Sequence, residues 1–303
     1  MRKMIIGTIV MLLIAGTTCA ADPTLWDKLI DVAIQHIKTN GPDAETGQFI
    51  SLARHHAWSR RQDFVDLVVP HLKGKDPEKV AGGVAVLHWL RTYHPMSYCG
   101  DFEKDNKEFF AKLDKIVYGQ LDHLHSLKSD QVYHRLALYL GCSPTAEAKR
   151  HLLRIADSPI AKSSREQALI CLAWHRDPKD MEALLPYMLE DSHASRSLPY
   201  HFRNSYGDAS IPHLKKALSD AKSQITRLEA AFELVHLRIP AGFQYIHATA
   251  LQDPKPEGKR SRSLDRIRQF ARDYLELPKD VSSKENIAIH IEEKQGQLCE
   301  KHD

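Results

Sequence analysis

The chain has 303 residues, of which 27% are charged, with 42 lysine and arginine residues against 39 aspartate and glutamate residues. The formal net charge at pH 7 is +3, and setting aside residues 1–20 leaves 40 basic against 39 acidic residues, a net charge of +1. This near-neutral balance provides no bulk attraction for nucleic acid or for anionic membranes, so neither is expected as a partner.

The first 20 residues have the pattern of a signal peptide. Arg2 and Lys3 precede an apolar run over residues 4–15, and small residues follow before a cleavage point. The run is too short for a membrane anchor, which must cross a hydrocarbon core of about 30 Å. Lipid attachment at Cys19 is another alternative, although the residues before it match a lipoprotein signal poorly. No later segment is apolar enough to span a membrane, so we expect an exported chain, periplasmic or extracellular.

An amphipathic helix is predicted next, over Leu25–Ile37, because apolar residues recur there at helical spacing. As the first ordered element it is expected to cap one end of a stack of helices. The turn residues Asn40, Gly41 and Pro42 end it. Helix pairs are predicted to begin after this turn, and Gly47–Asp76 contains a weak copy of the pattern.

The clearest helix pair covers Arg165–Asp191. Its first half has an apolar helical face that includes Leu172, and Asp177-Pro178 then breaks the helix, since proline lacks an amide hydrogen. A second helix follows, and its apolar stripe consists of Met181, Leu184, Leu185, Met188 and Leu189. We therefore predict a helical hairpin whose apolar faces pack into the core.

This hairpin recurs along the chain. Adding 62 to each residue number superposes seven identities within the 27-residue window, where chance would give roughly two. The superposed pairs are Arg165 and Arg227, Ala168 and Ala230, Leu172 and Leu234, Arg176 and Arg238, Pro178 and Pro240, Leu189 and Leu251, and Asp191 and Asp253. An intermediate copy divides the offset of 62 residues, although its first helix, at Ala194–Tyr206, matches weakly. The spacing between copies is therefore about 29 to 34 residues.

Tandem hairpins of this period resemble the HEAT-like repeats of the armadillo-type α-solenoid superfamily, in particular its bacterial, exported forms. The segments that carry the resemblance are SSREQALICLAWHRDPKDMEALLPYMLED, GDASIPHLKKALSD and QITRLEAAFELVHLRIPAGFQYIHATALQD. It implies an all-α fold, a right-handed α-solenoid of stacked helical hairpins, in a single domain over residues 21–278. Such repeats serve as scaffolds and adaptors and occasionally as lyase subunits.

A basic linker, Lys255–Arg268, follows the last clear hairpin. Its Lys259, Arg260 and Arg262 could hold a phosphate, a sulfate or an acidic polysaccharide, whereas a solvated connecting loop is the simpler interpretation. Residues 279–303 form a polar tail with few apolar residues to anchor it, and we expect partial order there at best.

No recognised catalytic motif is present, neither a Gly-x-Ser-x-Gly elbow nor a glycine-rich phosphate loop. The 18 histidines suggest metal binding, but His123 and His125 lie two residues apart and point to different sides of a helix. We therefore predict no catalytic residue, no metal site and no cofactor. Cys99 and Cys142 lie near equivalent turns, and a disulfide between them is a hypothesis suited to an exported protein.

The expected binding surface follows from the solenoid, whose second helices usually line the concave face. Polar positions that differ between repeats there are Arg154, Tyr187, Lys215 and Lys216. Charge alternates in sign along these helices, which favours a protein or peptide partner of mixed charge over nucleic acid.

We therefore expect a non-enzymatic scaffold for protein–protein interaction. The alternative is an enzyme or enzyme accessory that acts on cell-wall or extracellular polysaccharide. A deep pocket with two close carboxylates would favour the enzyme, and an open groove would favour the scaffold.

Overall fold

A computed structural model of the chain describes residues 23–42, 58–92, 106–143, 145–161, 163–251, 262–281 and 283–299. Within these ranges the regular elements are α-helices and short 3₁₀ segments, without a strand. The prediction of an all-α fold is therefore confirmed. The signal peptide predicted for residues 1–20 lies outside the described residues, as do Cys99, Lys259 and Arg260. None of the described helices is both long and apolar enough to cross a bilayer.

The chain divides into two compact units, of which the first contains residues up to 142 together with 159–162. Its described helices are α1 (Pro23–Asn40), α2 (Arg61–Val68), α3 (Pro77–Thr92), α4 (Lys107–Tyr118), α5 (Leu121–Ser126) and α6 (Asp130–Leu140). α3 packs along α6, and the two helices bury Val84, Leu87 and Leu136 completely. Removing such side chains from water is the main favourable term in the stability of the unit.

The end of α1 follows from one glycine. Gly41 has a φ of 82°, a left-handed value that glycine adopts without the steric cost of a β-carbon. Its N–H donates to the carbonyl of Ile37 at 2.9 Å, which satisfies one of the free carbonyls at the helix end. The turn predicted at Asn40, Gly41 and Pro42 is thus where α1 ends.

The second unit contains residues 143–158 and 163–303. Its described helices are α7 (Ala146–Ala156), α8 (Ser164–Trp174), α9 (Lys179–Leu189), α10 (His193–Tyr206), α11 (Ile211–Asp220), α12 (Gln224–His236), α13 (Pro240–Leu251), α14 (Arg262–Tyr274) and α15 (Lys284–Cys299). Alternate helices lie side by side, since α10 contacts both α8 and α12, α12 contacts α14, and α9 contacts α11. The helices α8, α10, α12 and α14 therefore form one layer, which we call the first-helix layer.

Two turns of this unit have the same backbone geometry. Arg176 and Arg238, which the offset of 62 superposes, have positive φ values of 54° and 59°. Each lies two residues before a proline at the start of the next helix, where Pro178 is the N-cap residue of α9 and Pro240 is the first residue of α13. A single left-handed residue ends the first helix, and the proline, with its fixed φ, begins the second.

Polar contacts between neighbouring helices recur at a nearly constant sequence separation of about 30 residues. Their members are Asp157 and Tyr187, Glu166 and Ser197, Ser195 and Thr226, Glu182 and His213, and Arg203 and Glu233. A contact of constant sequence separation is what equivalent positions of successive hairpins produce when the hairpins pack against each other.

The apolar stripe of α9 is narrower than predicted. Leu184 is fully buried, whereas Leu185 and Leu189 are only partly buried. Leu172 on α8 and Leu234 on α12 are buried as expected. The expectation that Leu185 and Leu189 are full core residues was therefore wrong, because a helix that packs through one stripe leaves the flanking positions at its edge.

The helix α10 is regular, although its sequence matches the repeat weakly. Ser192 caps it by accepting a hydrogen bond from the N–H of Ser195, and the Ser195 side chain accepts one from the N–H of Ser192 in return. This reciprocal arrangement satisfies N–H groups that a helix start otherwise leaves free. Local capping thus establishes the helix where the repeat pattern is faint.

Part of the polar segment 279–303 is helical. Its residues 284–299 form α15, which packs on α13. Ile287 and Ile291 lie one turn apart and are fully buried in a cluster with Phe243 and Ile246 of α13. Ala288 is buried as well, and Leu298 and Cys299 pack against the same cluster, so α15 docks through one apolar side. The single-domain boundary at residue 278 stays a prediction.

Candidate functional site

A cavity of about 400 Å³ lies in the first-helix layer of the second unit, within the size range of small-ligand sites. The helices α8, α10, α12 and α14 each contribute to its lining. The lining residues are Glu166, His193, Arg196, Ser197, Tyr200, Arg203, Glu229, Phe232, Glu233, His236, Arg266, Phe270 and Tyr274. We call this cavity the first-helix pocket.

The face of α10 that lines the pocket has a helical spacing. His193, Arg196, Ser197 and Tyr200 lie at i, i+3, i+4 and i+7, so they share one side of the helix. The opposite side buries Leu198 among its apolar residues. Because α10 lies between α8 and α12, its polar face borders both neighbours and forms the centre of the pocket.

The lining residues of α12 and α14 also lie at helical spacing. On α12, Glu229, Phe232, Glu233 and His236 again lie at i, i+3, i+4 and i+7, and on α14 the contributing residues lie four apart. The pocket is therefore formed by one face of each of three adjacent helices, together with Glu166 of α8.

An ion pair between Arg203 and Glu233 joins α10 to α12. The Glu233 side chain is only 6% exposed, and this burial raises the pKa of Glu233, while the hydrogen bond from Arg203 opposes the rise. A carboxylate that is removed from water needs such a partner, because an unpaired buried charge is costly. Arg266 of α14 pairs in the same way with Glu229 of α12.

Glu166 of α8 accepts hydrogen bonds from two residues of α10. The Ser197 hydroxyl donates to Oε1 of Glu166 at 2.6 Å, and Nδ1 of His193 lies 2.7 Å from Oε2. Both carboxylate oxygens are therefore engaged. All three glutamates of the pocket thus have partners, and each links two helices of the layer.

One wall of the pocket consists of aromatic rings. Phe232 of α12 and Phe270 of α14 are stacked with their centroids 4.2 Å apart. The ring of His236 lies edge-on to Phe270 at 5.3 Å and to Tyr274 at 4.4 Å. Burial, followed by the nearby charge of Arg203, lowers the pKa of His236 to about 4. The imidazole is therefore neutral at pH 7 and acts as a fourth ring of the wall.

Two tyrosines of the pocket are unusually exposed. Tyr200 is 50% exposed and Tyr274 is 59% exposed, on α10 and α14 respectively. Exposed tyrosine and arginine side chains beside a pocket are the residue types that dominate binding energy at protein interfaces. Arg203 adds a cation to this side of the pocket, because its guanidinium lies 5.8 Å from the centroid of the Tyr200 ring.

The predicted binding residues lie on other helices, and none of them lines the first-helix pocket. They are Arg154 on α7, Tyr187 on α9, and Lys215 and Lys216 on α11. Both lysines are exposed, whereas Tyr187 is partly buried. Whether this group binds a partner stays a prediction.

Tyr187 has a structural role in addition to any role in binding. Its hydroxyl donates to Oδ1 of Asp157 at 2.6 Å, and the guanidinium of Arg165 lies over its ring at 5.4 Å. Burial and the hydrogen bond to Asp157 raise the pKa of Tyr187 to about 12. Changing Tyr187 would therefore remove contacts between helices as well as a surface group.

Cys142 has a thiol that donates to the carbonyl of Leu138 at 3.4 Å, and burial raises its pKa to about 11. The disulfide to Cys99 stays a prediction, because Cys99 lies outside the described residues. The alternative anion site is equally untested, since Lys259, Arg260 and the side chain of Arg262 lie outside what the structure describes. Within the described residues, no three histidine, cysteine, aspartate or glutamate side chains converge as metal ligands do.

Comparison with known proteins gives no further guidance. No protein-family model matches the chain, and neither a curated protein nor a solved structure matches it. The sequence and the geometry of the pocket are therefore the grounds for a functional conclusion.

Proposed function

We propose that the chain is an exported, non-enzymatic helical-repeat scaffold that binds a protein or peptide partner. Its fold would be a right-handed α-solenoid of HEAT-like hairpins. Two observations support the repeat: the matching left-handed turns at Arg176 and Arg238, and polar contacts between helices at separations of about 30 residues.

The observation that supports binding most directly is the composition of the first-helix pocket. Its exposed side chains are His193, Arg196, Tyr200, Arg266 and Tyr274, and one of its walls is aromatic. Interfaces obtain most of their binding energy from a few such aromatic and arginine residues around a water-excluding centre. We therefore place the partner contact at this pocket, and the second-helix residues Lys215 and Lys216 become the competing location.

Site-directed photocrosslinking in the exporting cell tests this location. Benzoylphenylalanine at position 200 would lie at the pocket, at position 216 on the second-helix surface, and at position 285 on an exposed site of α15 away from both. We expect a discrete crosslinked protein from position 200 and none from position 285. Crosslinks from position 216 alone would move the binding site to the second helices. The absence of a crosslink from both test positions would contradict the scaffold function.

Export itself is testable on the same material. Cleavage of the signal peptide would remove residues 1–20, so the intact mass of the protein from the periplasm or the medium should equal that of residues 21–303. A full-length mass confined to the cytoplasm would contradict export.

An enzyme that acts on polysaccharide is the second candidate, and one observation favours it. The pocket contains three glutamates, and burial raises the pKa of Glu233, as in a general acid. Against it, Glu229 and Glu233 are each engaged by an arginine, which stabilises the charged form and opposes proton donation. Release of reducing ends from peptidoglycan by the wild-type chain, abolished in Glu233→Gln, would establish the enzyme and overturn the scaffold.

A further inference from the structure

The charged side chains of the first-helix pocket differ in how closely they are paired. Glu166, Glu229 and Glu233 each have a close cationic or hydroxyl partner within the pocket. Arg196 differs from them, since its ion-pair contact is to Asp191 at 3.9 Å, near the limit for such a pair. Its side chain is 42% exposed. Arg196 therefore has spare hydrogen-bonding capacity at the pocket.

A second guanidinium lines the same pocket. Arg266 of α14 also lines the pocket, and its pKa is lowered by burial and then by the charge of Arg196. Because Arg266 is already paired with Glu229, Arg196 is the one of the two guanidinium groups that an incoming anion can engage. Arginine suits a carboxylate in particular, because its planar fork matches the two carboxylate oxygens.

The aromatic wall lies in the same cavity. Phe270 is nearly buried, but Tyr274 beside it is more than half exposed, and its ring is held by contacts with His236 and Phe270. A ring fixed in this way offers a face or an edge to a second aromatic ring without a further loss of side-chain freedom. A ligand that reaches both Arg196 and Tyr274 would need an anionic group beside an aromatic one.

We infer that the first-helix pocket binds a peptide segment in which an acidic side chain neighbours an aromatic one. The carboxylate contacts Arg196, and the ring packs on Tyr274 and the aromatic wall. This inference rests on the proposed scaffold function and specifies the chemistry of its partner. A cavity of about 400 Å³ accommodates a few side chains rather than a folded domain, which suits a short segment.

Fluorescence anisotropy with labelled hexapeptides tests the inference on the mature full chain. The first probe has glutamate followed by tyrosine between glycine and serine residues. The second has glutamine in place of glutamate, and the third has alanine in place of tyrosine. We expect the first to bind and each of the others to bind at least about tenfold more weakly, since each loses one of two specific contacts.

Protein variants locate the contacts. Arg196→Gln and Tyr274→Ala should each weaken the first probe about tenfold or more, and the loss in Arg196→Gln should disappear when the glutamine probe is used. Arg150→Gln is the matched control, because Arg150 is 72% exposed on α7 and does not line the pocket. Both test residues are at the surface, so circular dichroism should be unchanged.

Several outcomes would overturn the inference. These are equal binding of the three peptides, no binding of any of them, or an equal loss in Arg150→Gln. Binding of free 3-(4-hydroxyphenyl)propionate as tightly as the first peptide would identify the occupant as a small aromatic acid instead. If the peptides fail while position 200 still crosslinks a protein, the peptide chemistry is wrong and the scaffold function stands. If the peptides fail and neither position 200 nor position 216 crosslinks a protein, the scaffold function fails as well.

Discussion

Arg203 on α10 forms an ion pair with Glu233 on α12, thirty residues further along the chain. The Glu233 side chain is 6% exposed and the Arg203 side chain 26% exposed, so neither charge is well hydrated. Such a pair adds little net stability over an apolar pair of the same shape, but the loss of one partner is expensive. The contact therefore links two neighbouring helices of the pocket and makes each charge depend on the other.

We predict that Arg203→Met lowers the free energy of unfolding at pH 7 by about 3–5 kcal/mol, because Glu233 then stays buried without a counter-charge. The double variant Arg203→Met with Glu233→Gln should be markedly more stable than Arg203→Met alone. Urea unfolding of the two single variants, the double variant and the wild type measures both effects. Equal stability of the single and double variants would show that the buried charge is not the cause.

The same ion pair predicts a pH dependence. Burial raises the pKa of Glu233 in the folded state above its ordinary value of 4.5, and removal of Arg203 should raise it further. The folded state then binds the proton before the unfolded state does, so stability increases as the pH falls from 7 towards 4.5. The destabilisation of Arg203→Met should accordingly be smaller at pH 5 than at pH 7. A larger destabilisation at pH 5 would contradict this assignment.

His236, in the aromatic wall, should have the opposite effect on the pH dependence of stability. The pKa of His236 is lowered to about 4 from 6.5 by burial and by Arg203. The unfolded chain therefore takes up this proton first, and its contribution to stability, complete above pH 6.5, is lost as the pH falls through 4. Proton–carbon NMR titration, with the His236 signal assigned from a His236→Gln variant, should show a midpoint near 4. A midpoint near 6.5 would mean that the ring is hydrated and that the aromatic wall is open.

Two adjacent leucines test the packing of α9. Leu184 is fully buried and Leu185 is partly buried. We expect Leu184→Ala to lower the free energy of unfolding by about 2–5 kcal/mol, since it leaves a cavity. Leu185→Ala should cost about 1 kcal/mol, because less of its side chain is removed from water on folding. Urea unfolding with equal m-values measures the difference, and equal costs would place both side chains in the core.

These leucines show how far the sequence predicts the fold. Helical spacing identified the apolar stripe of α9, and the prolines at 178 and 240 identified the turns. Spacing alone does not distinguish the centre of a stripe from its edge, because the contact width depends on how the neighbouring helices lie. That explains why Leu184 and Leu185 were predicted alike although their burial differs.

The pocket was harder to predict for a related reason. The polar stripe of His193, Arg196, Ser197 and Tyr200 is visible in the sequence at helical spacing, but it looks like an ordinary solvated helix face. Glu166, the partner of Ser197, and Glu233, the partner of Arg203, are each about 30 residues from the residue they contact. Only the packing of α10 between α8 and α12 brings these side chains together. The sequence-based prediction also placed the binding surface on the second helices. It therefore named Lys215 and Lys216 and no residue of the first-helix layer.

The turn after α8 allows a test of backbone strain. Arg176 is exposed and has a φ of 54°, in the left-handed region that costs a residue with a β-carbon roughly 1–2 kcal/mol. Glycine removes that cost but loses about 0.5–1 kcal/mol through the greater freedom of the unfolded chain. We therefore predict that Arg176→Gly raises the free energy of unfolding by up to about 1.5 kcal/mol. Arg176→Val should lower it, because branching at the β-carbon worsens the left-handed conformation.

The control for this prediction is the same substitution in a regular helix. Arg150 lies in the interior of α7 and is exposed, so Arg150→Gly should lower the free energy of unfolding by about 1 kcal/mol, as glycine does in helix interiors. The two arginine-to-glycine variants are thus expected to have effects of opposite sign in urea unfolding experiments under identical conditions. If Arg176→Gly destabilises the protein as much as Arg150→Gly does, residue 176 is not held in the left-handed conformation, and its equivalence to Arg238 at the two turns is wrong.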